Sequence, residues 1–263
     1  MNMLYPRLIP CLLVHKNALY KTTNFKNPKY IGDPINAVKI FNDKQVDELI
    51  VLDIDASVNN SIPNYNLIEN LAFECRMPLC YGGGIKTLDQ ALNIFSLGVE
   101  KISLSSEAIK NISLINNLSK RVGSQSIVVV IDVKKNNFSN NYTIYTHNGK
   151  VKVDLKPLEF IKELQQNGVG EIVINSIDND GLMKGFDLNL IEKIYKISNV
   201  PITVLGGAGS FDHFSDVIDK TGIIGLSAGS FFVFKGKFKA VLINYPEINL
   251  KEKILTQNLK QKR

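Results

Sequence analysis

Tyr81-Gly82-Gly83-Gly84-Ile85 and Leu205-Gly206-Gly207-Ala208-Gly209-Ser210 are two glycine clusters that lie about half the chain apart. Each cluster follows a proline and a short apolar run. Each is followed, roughly twenty residues later, by another apolar run that ends in small hydroxyl residues. Gly83 and Gly207 are separated by 124 of the 263 residues, so the chain contains an internal repeat of half its length.

Short β-branched runs alternate with longer helix-patterned segments, which is typical of repeated βα units around a parallel sheet. The runs predict eight strands, near residues 7–14, 49–53, 78–81, 101–105, 127–132, 171–176, 201–205 and 223–227. Eight strands in two groups of four predict an α/β fold, the (β/α)8 TIM barrel, with an internal two-fold half-barrel repeat. An open doubly wound sheet would explain neither the repeat nor the strand count.

We expect one barrel domain over residues 1–263, with half-barrels at about 1–122 and 123–245 and a basic C-terminal tail at 246–263. Residues 135–152 alternate in polarity around Asn148-Gly149, which predicts a β-hairpin inserted after the fifth strand. The last thirteen residues carry five basic residues and one acid, which favours a solvated terminal helix. Further helices are expected near residues 34–43, 67–75, 88–97, 112–122, 157–167, 188–198 and 211–219.

Composition excludes several functional classes. The net charge of +6 comes without a basic face or an aromatic platform, so a nucleic-acid partner is not expected. Three cysteines and three histidines lie in no metal spacing, and we expect no disulfide, metal or other cofactor. No signal peptide and no apolar run approaching eighteen residues are found, so we expect a cytoplasmic protein without a membrane partner.

The glycine clusters predict phosphate binding, because glycine lets backbone N–H groups approach an anion closely at the start of a helix. Two such cradles, taken as equivalent, predict a phosphorylated small molecule with a phosphate at each end. The alternative is that these glycines only turn the chain. The candidate phosphate-binding residues are Gly83, Gly84, Ser105, Ser106, Asp180, Gly181, Gly206, Gly207, Gly229 and Ser230.

Acidic residues at predicted strand ends are candidates for general acid–base chemistry, since catalytic groups of such barrels lie there. Asp132 is the sharpest candidate, because it closes the apolar run 127–131. Its alternative role is capping, or pairing with Lys134 or Lys135. Asp53 ends the second strand and could equally be a structural cap, and Asp55 and Asp178 are weaker candidates.

Four charged residues stand where strands one, two, four and six begin, at the face opposite the chemistry. They are Arg7, Glu48, Lys101 and Glu171. Two acids and two bases at one end of a barrel can form a salt-bridged ring. The alternative reading is plain stability at that face.

The chain resembles, from about residue 5 to about residue 235, the HisF-type cyclase subunit of imidazole glycerol phosphate synthase. The segments that carry the resemblance are Arg7-Leu8-Ile9-Pro10-Cys11-Leu12, Lys21-Thr22-Thr23-Asn24-Phe25, Gly32-Asp33-Pro34, Asp47-Glu48-Leu49, Gly123-Ser124-Gln125 and Gly206-Gly207-Ala208-Gly209. The resemblance implies a heterodimer with a HisH-like glutaminase at the barrel base and ammonia passing through the barrel. It implies that the four charged residues form the ammonia gate and that Lys21 lies on a loop over the substrate.

The sequence departs from that family at its catalytic face. The resemblance implies catalytic aspartates at the ends of strands one and five; Asp132 matches the second, but Leu13 stands at the first. Leu205 replaces a serine before the second glycine cluster, and Ser105 replaces an asparagine beside a phosphate. Cys11 is expected to belong to the core.

A branch of HisF-like proteins found beside surface-polysaccharide genes resembles this chain in two regions. These are Val51-Leu52-Asp53-Ile54-Asp55 and the ending Phe232-Val233-Phe234-Lys235-Gly236-Lys237 with Ala240-Val241-Leu242-Ile243-Asn244-Tyr245-Pro246. This resemblance implies a role, with a HisH-like glutaminase and a sugar amidotransferase, in forming acetamidino groups on N-acetyl sugars. Two alternatives stay open: a true cyclase, with His15 and Asp55 as weak substitutes for the lost aspartate, and a silent scaffold that binds a phosphorylated ligand and activates its glutaminase.

Overall fold

Eight parallel strands close into a barrel, which confirms the predicted fold. The computed structural model describes residues 6–136, 141–222 and 224–256. The barrel strands, β1 to β8, are Arg7–His15, Leu49–Asp53, Leu79–Gly82, Lys101–Leu104, Ile127–Lys135, Glu171–Ser176, Ile202–Leu205 and Gly225–Ala228. Strand β1 pairs in parallel with both β8 and β2, and β5 pairs in parallel with β6, so the ring has no open edge. Residue 223 of the eighth predicted strand lies outside the described residues.

The helices cover the outside of the barrel, where their apolar faces pack against the strands. Their starts follow local capping rules: Asp33 accepts a hydrogen bond from the backbone of Asn36 ahead of Pro34, and Thr87 and Gln90 form a capping box. The helices are Pro34–Asp43, Tyr65–Glu74, Leu88–Ser96, Ser106–Lys110, Ser113–Val122, Pro157–Gln166, Leu188–Tyr195, Phe211–Thr221, Ser230–Val233 and Ile248–Thr256, with a 3-10 turn at Ser124–Ser126.

Antiparallel strands extend the barrel at its mouth, the end where the carboxyl ends of the eight strands lie. Ala18–Thr23 pairs with the end of β1 and with Lys26–Gly32. Lys21 therefore lies in a β-strand, whereas the resemblance placed it on a loop. Tyr142–Thr146 pairs with the end of β5 and with Val151–Val153, which confirms the predicted hairpin apart from residues 137–140, which lie outside the described residues. A short hairpin of Phe234–Lys235 and Ala240–Val241 follows β8.

The interior of the barrel is a column of apolar side chains. Alternate residues of each strand point inward, because successive side chains of a strand face opposite sides of the sheet. The apolar members of the inward set are Ile9, Cys11, Ile50, Cys80, Val128, Val130, Val173 and Leu205, with Leu13 and Leu52 packed against them. The buried polar residues Ser103 and Thr203 lie on the same faces of their strands as Lys101 and Leu205. Cys11 is 3% exposed and belongs to this core, as expected.

The last described helix, Ile248–Thr256, lies on the barrel and does not extend into solvent on all sides. Ile254 and Leu255 are buried, and the Lys251 ammonium lies 2.5 Å from a carboxylate oxygen of Asp47. The predicted solvated helix is therefore solvated on one face only. Residues 257–263 of the basic tail lie outside the described residues. Across the described ranges, no helix combines the length and apolarity that a membrane crossing needs.

Candidate functional site

A cavity of about 400 Å³ opens at the mouth of the barrel. It is lined by strand ends and by the loops that follow them, which is where barrel enzymes carry their chemistry. The structure brings many of the predicted residues together here, from both halves of the chain. Those that line the cavity are Leu13, Lys21, Asp53, Gly83, Gly84, Ser105, Ser106, Asp132, Asp180 and Gly229.

The first glycine cradle opens directly onto this cavity. Gly84 has a φ of +75°, and a Cβ at this position would lie 2.9 Å from the backbone oxygen of Ser61. Both the backbone conformation and the close approach therefore require glycine. Lys86 and Lys110 also line the cavity, although sequence reasoning missed them. Lys110 stands four residues after Ser106 on the same short helix, a spacing that could have indicated it.

The second cradle is not equivalent to the first. Gly181, Gly206, Gly207, Gly229 and Ser230 line a separate cavity of only about 10 Å³. The Lys21 ammonium and the Asp180 carboxylate, 2.7 Å apart and each 6% exposed as a side chain, border it. The two cradles therefore differ in this structure, because the buried Lys21–Asp180 ion pair borders the second one, where little free volume remains. That both clusters bind phosphate stays a prediction.

Asp132 is paired with an asparagine that sequence reasoning did not single out. The side-chain amide of Asn175 donates to Asp132 Oδ1 at 2.9 Å. Burial raises the pKa of Asp132 to about 7; the hydrogen bond from Asn175 opposes this rise and nearby Asp180 adds to it. Asn175 follows Glu171 and Val173 along β6 at spacings of two, and this strand periodicity could have indicated its inward direction.

The half-barrel repeat places two leucines at the equivalent positions in the first half. Asp132 on β5 lies opposite Asn175 on β6, and Leu13 on β1 lies opposite Leu52 on β2. At these equivalent positions, the second half therefore has a polar pair and the first half an apolar pair. In the described part of the chain, the Asp132 carboxylate has neither Lys134 nor Lys135 as a partner, so the alternative pairing with these lysines is wrong.

The other acidic candidates have local structural partners. Asp53 Oδ1 accepts hydrogen bonds from the backbone of Asp55 and Ala56, at 2.9 and 3.2 Å, so Asp53 does act as a cap. Asp178 accepts from the backbone of Lys135 at 2.8 Å. His15 Nδ1 lies 2.7 Å from Asp55 Oδ1, but neither residue is among those that line the mouth cavity.

The four charged residues at the base do form a ring. Arg7 pairs with Glu48, and its second nitrogen lies 2.8 Å from Glu171 Oε1. Lys101 Nζ lies 2.8 Å from Glu48 Oε1 and 2.9 Å from Glu171 Oε2. Thr203 adds a hydroxyl donor to Glu171 at 2.5 Å. Each acid thus bridges both bases, which closes the N-terminal end of the apolar column.

Charge pairing outweighs burial in this ring. Burial alone would lower the pKa of Lys101, but Glu171 and Glu48 raise it above its usual range. Burial likewise would raise the pKa of Glu171, yet Arg7 and Lys101 hold it below its usual range. Pairing therefore favours the charged forms of Lys101 and Glu171. Both acids of the ring are almost completely buried: the Glu48 side chain is 4% exposed and that of Glu171 is 7% exposed.

Comparison with known proteins assigns the chain to a family. Residues 7–239 match the profile of a family described as histidine biosynthesis protein. Over 229 residues, which cover 87% of this chain and 91% of the relative, the chain is 37% identical to the imidazole glycerol phosphate synthase subunit HisF of Petrotoga mobilis. The chain belongs to the HisF family. HisF subunits are the cyclase subunits of that synthase.

HisF-family proteins with provisional names are more similar to this chain. A protein of Leptospira borgpetersenii, provisionally named as the same subunit, is 56% identical over 250 residues, which cover 95% of this chain and 98% of the relative. A second, from Vibrio vulnificus and also provisionally named, is 54% identical over 254 residues, covering 97% and 98%. Two levels of similarity thus exist within the family, one above 50% and one near 37%.

Proposed function

We propose that this HisF-family barrel receives ammonia from a separate HisH-like glutaminase and conducts it through its interior for the amidation of a surface N-acetyl sugar. The acetamidino group would be formed together with a sugar amidotransferase. One observation carries the proposal: the charged ring at the base is complete, whereas the catalytic mouth has leucines at 13 and 52 where its other half has Asp132 and Asn175.

The mouth is poorly suited to the family's cyclisation. The resemblance implies two aspartates that share acid–base work, and Leu13 can neither give nor take a proton. Loss of one such group costs roughly 10²–10⁴ in rate. His15 and Asp55 do not compensate, because the mouth cavity does not include them.

The route through the barrel suits a small neutral molecule. The ring of Arg7, Glu48, Lys101 and Glu171 lies at one end of a column built from valine, isoleucine, leucine and cysteine side chains. An apolar interior disfavours an unpaired ammonium ion but tolerates uncharged ammonia. We infer that the ring controls entry and that the column excludes ions from the path.

The true cyclase is the main alternative. It is favoured by the retained Asp132, Lys21 and Gly84, all at the mouth, and by the family's named cyclase subunits at 37% identity. A catalytically silent scaffold is a second alternative, favoured by the open first cradle beside Lys86 and Lys110. In that case a phosphorylated ligand would bind at the mouth and activate the glutaminase.

Complementation of a histidine auxotroph that lacks its cyclase separates the first two functions. We expect no growth with the natural chain, produced in folded form as shown by circular dichroism. Growth at the rate given by a cyclase of known activity would overturn the sugar-amidation proposal as the sole function. The variant Leu13→Asp in the same assay tests whether Leu13 is the cause of the missing cyclase activity.

A comparison of nitrogen sources tests the conduit and the scaffold. With the glutaminase and the sugar amidotransferase present, Lys101→Met should reduce glutamine-dependent amidation about tenfold, which is about 1.4 kcal/mol. Amidation from ammonium salts should not change, because free ammonia can reach the mouth from solvent. Equal loss with both nitrogen sources would contradict the conduit. If the barrel changes the rate at which the glutaminase releases glutamate but supports no amidation, the scaffold alternative is supported.

A further inference from the structure

The short hairpin that follows β8 carries an exposed aromatic side chain at its tip. Phe234–Lys235 pairs with Ala240–Val241, and the backbone N–H of Lys239 donates to Gly236 O at 3.0 Å, which closes the turn between the two strands. Phe238 lies in this turn and is 88% exposed. A single exposed apolar residue is not by itself a binding site, so the surroundings of Phe238 decide what it does.

Two lysines hold this hairpin against the rim of the mouth. Lys239 Nζ donates to the backbone oxygen of Gly181 at 2.9 Å, and Gly181 follows Asp180, which lines the mouth cavity. Lys29 Nζ donates to the backbone oxygen of Lys239 at 2.8 Å and lies 5.0 Å from the centre of the Phe234 ring. The tip is therefore fixed relative to the mouth, and a preformed tip loses less conformational entropy when it binds.

The surface around the tip is strongly basic. Residues 26–31 and 235–241 contain five lysines and no acidic residue, in a chain whose net charge is +6. None of the five forms an ion pair with a described residue. The two segments are distant in sequence, since Lys29 and Lys239 are 210 positions apart, which is why a basic face was not expected.

The basic surface lies beside the mouth cavity, at the end of the barrel opposite the charged ring. Tyr30, which is 57% exposed, follows Lys29 on the outer strand and adds a second aromatic side chain. A molecule seated on this surface would lie next to the opening of the barrel. We call the following set the rim patch: Lys26, Lys29, Tyr30, Lys235, Lys237, Phe238 and Lys239.

We propose that the rim patch is the docking surface for the protein that takes ammonia at the mouth. Phe238 enters an apolar pocket of that partner, and the lysines around it pair with carboxylates that ring the pocket. One aromatic anchor inside a polar rim is the usual anatomy of a specific protein interface. The inference rests on the proposed function, under which this partner is the sugar amidotransferase.

The shape of the patch favours a protein partner over a lipid surface or a nucleic acid. The Tyr30 ring packs edge-on against the Tyr20 ring, with 5.6 Å between their centres, so Phe238 is the aromatic side chain that projects farthest from the described structure. A lipid surface requires a broader apolar face, and a single-stranded nucleic acid requires several rings on which bases stack. A lone ring among like charges instead fits an apolar pocket with acidic edges, as charge complementarity requires.

The test measures direct binding of the barrel to the sugar amidotransferase by calorimetric titration. Phe238→Ser should weaken the binding about tenfold and leave the fold unchanged, because the side chain is 88% exposed. Phe73→Ser is the matched control, since Phe73 is 90% exposed in the last turn of the helix Tyr65–Glu74, which ends towards the base. It should bind like the natural chain. No measurable binding of the natural chain, or equal affinities for Phe238→Ser and Phe73→Ser, would overturn the proposal.

A second pair of variants tests the charges. Lys235→Glu/Lys237→Glu should weaken the binding about tenfold and reduce its dependence on salt, because attraction between exposed charges is screened. Lys44→Glu/Lys120→Glu changes the net charge equally, but these exposed lysines lie at the ends of outer helices that point towards the base. This control should keep both the affinity and the salt dependence. The same loss in both double variants would show a general charge effect and contradict the rim patch.

Two further probes identify a wrong occupant. Vesicles of phosphatidylglycerol and a single-stranded DNA oligonucleotide are each mixed with the natural chain and with Phe238→Ser. Binding to either probe that depends on Phe238, while the affinity for the amidotransferase does not, would overturn the protein partner. We expect any binding to these probes to be the same for the two chains.

The outcomes also separate this docking surface from the proposed function. If the amidotransferase binds equally to the natural chain and to Phe238→Ser, the rim patch is wrong, while glutamine-dependent amidation by the natural chain would still support the conduit. If its binding depends on Phe238 but no glutamine-dependent amidation occurs, the rim patch is supported and the conduit is contradicted.

Discussion

The two ends of this barrel hold their polar groups in different ways. At the base, Arg7, Glu48, Lys101 and Glu171 pair with one another and with Thr203 among the described residues. The first half of the chain contributes three of these four charged residues and the second half contributes one. At the mouth, the two halves contribute equivalent positions with opposite chemistry. At the base, the charged side chains hydrogen-bond to one another. At the mouth, the oxygen Oδ1 of Asn175 has no partner among the described residues.

This difference shows that the two halves of the repeat share a fold but differ in the side chains at the ends of their strands. The ring needs each side chain only at the start of its strand. The mouth needs pairs in register across neighbouring strands, and Leu13 and Leu52 leave the first half without the polar pair that Asp132 and Asn175 form in the second half.

Breaking the ring should cause the largest loss of stability. Glu171 is 5% exposed and bonds to Arg7, Lys101 and Thr203, so Glu171→Ala leaves two cations without one of their partners. We expect a loss of about 3–5 kcal/mol in unfolding free energy, measured by urea denaturation. The control is Glu192→Ala, which removes a surface pair with Lys220 and should give a curve close to that of the natural chain. Similar losses in both variants would contradict a special role of burial at the base.

At the mouth, removal of a charge should stabilise the fold. The pKa of Asp132 is raised from 3.8 to about 7, so the folded chain binds a proton more tightly than the unfolded chain. The resulting stability is complete below about pH 4 and is lost as the pH rises through 7. Asp132→Asn should therefore raise the unfolding free energy by about 2–4 kcal/mol at pH 9 and change it little at pH 4. A pH-independent effect would show that Asp132 titrates normally.

Restoring polarity on the apolar side should be costly unless both leucines change. Leu13→Asp puts a carboxyl beside Leu52 and the apolar column, and we expect a loss of about 1–3 kcal/mol at pH 8. In Leu13→Asp/Leu52→Asn, a hydrogen bond like that of the other half should recover about 1 kcal/mol. A double-mutant cycle by thermal denaturation measures this coupling. Strict additivity would indicate that the two halves are not interchangeable.

The smallest expected change in stability distinguishes Gly84 of the first cradle from Gly222, a glycine with a similar backbone conformation. Gly84 and Gly222 have similar φ angles, +75° and +79°, but a Cβ at Gly84 meets the backbone at Ser61 whereas none lies within 4 Å of Gly222. Gly84→Ala should lose about 1 kcal/mol more than Gly222→Ala, because only the first adds crowding to the strain. Calorimetric titration with inorganic phosphate should show weaker binding for Gly84→Ala alone. Equal phosphate binding in both variants would argue against a phosphate at the first cradle.

Much of the fold could be predicted because its signals are local. The eight runs of β-branched residues, such as 127–131, and helix starts such as Asp33-Pro34 are written in neighbouring residues. The ring could also be predicted, since strand starts in a parallel barrel all lie at one end. The strand that holds Lys21 was missed, because Ala18–Thr23 has no clear alternation and is held by pairing with β1.

The glycines of the site and Asp132 could be predicted from the sequence. The hydrogen-bond and ion-pair partners of the site's polar side chains could not. By itself, the sequence determined the βα repeat and the half-length symmetry, because periodicity and motif spacing act along the chain. Only the tertiary structure decided that Asn175 supports Asp132, that Leu52 faces Leu13, and that Lys21 and Asp180 border the second cradle. These contacts join residues 39 to 159 positions apart, and strand register and burial, not local preference, bring them together.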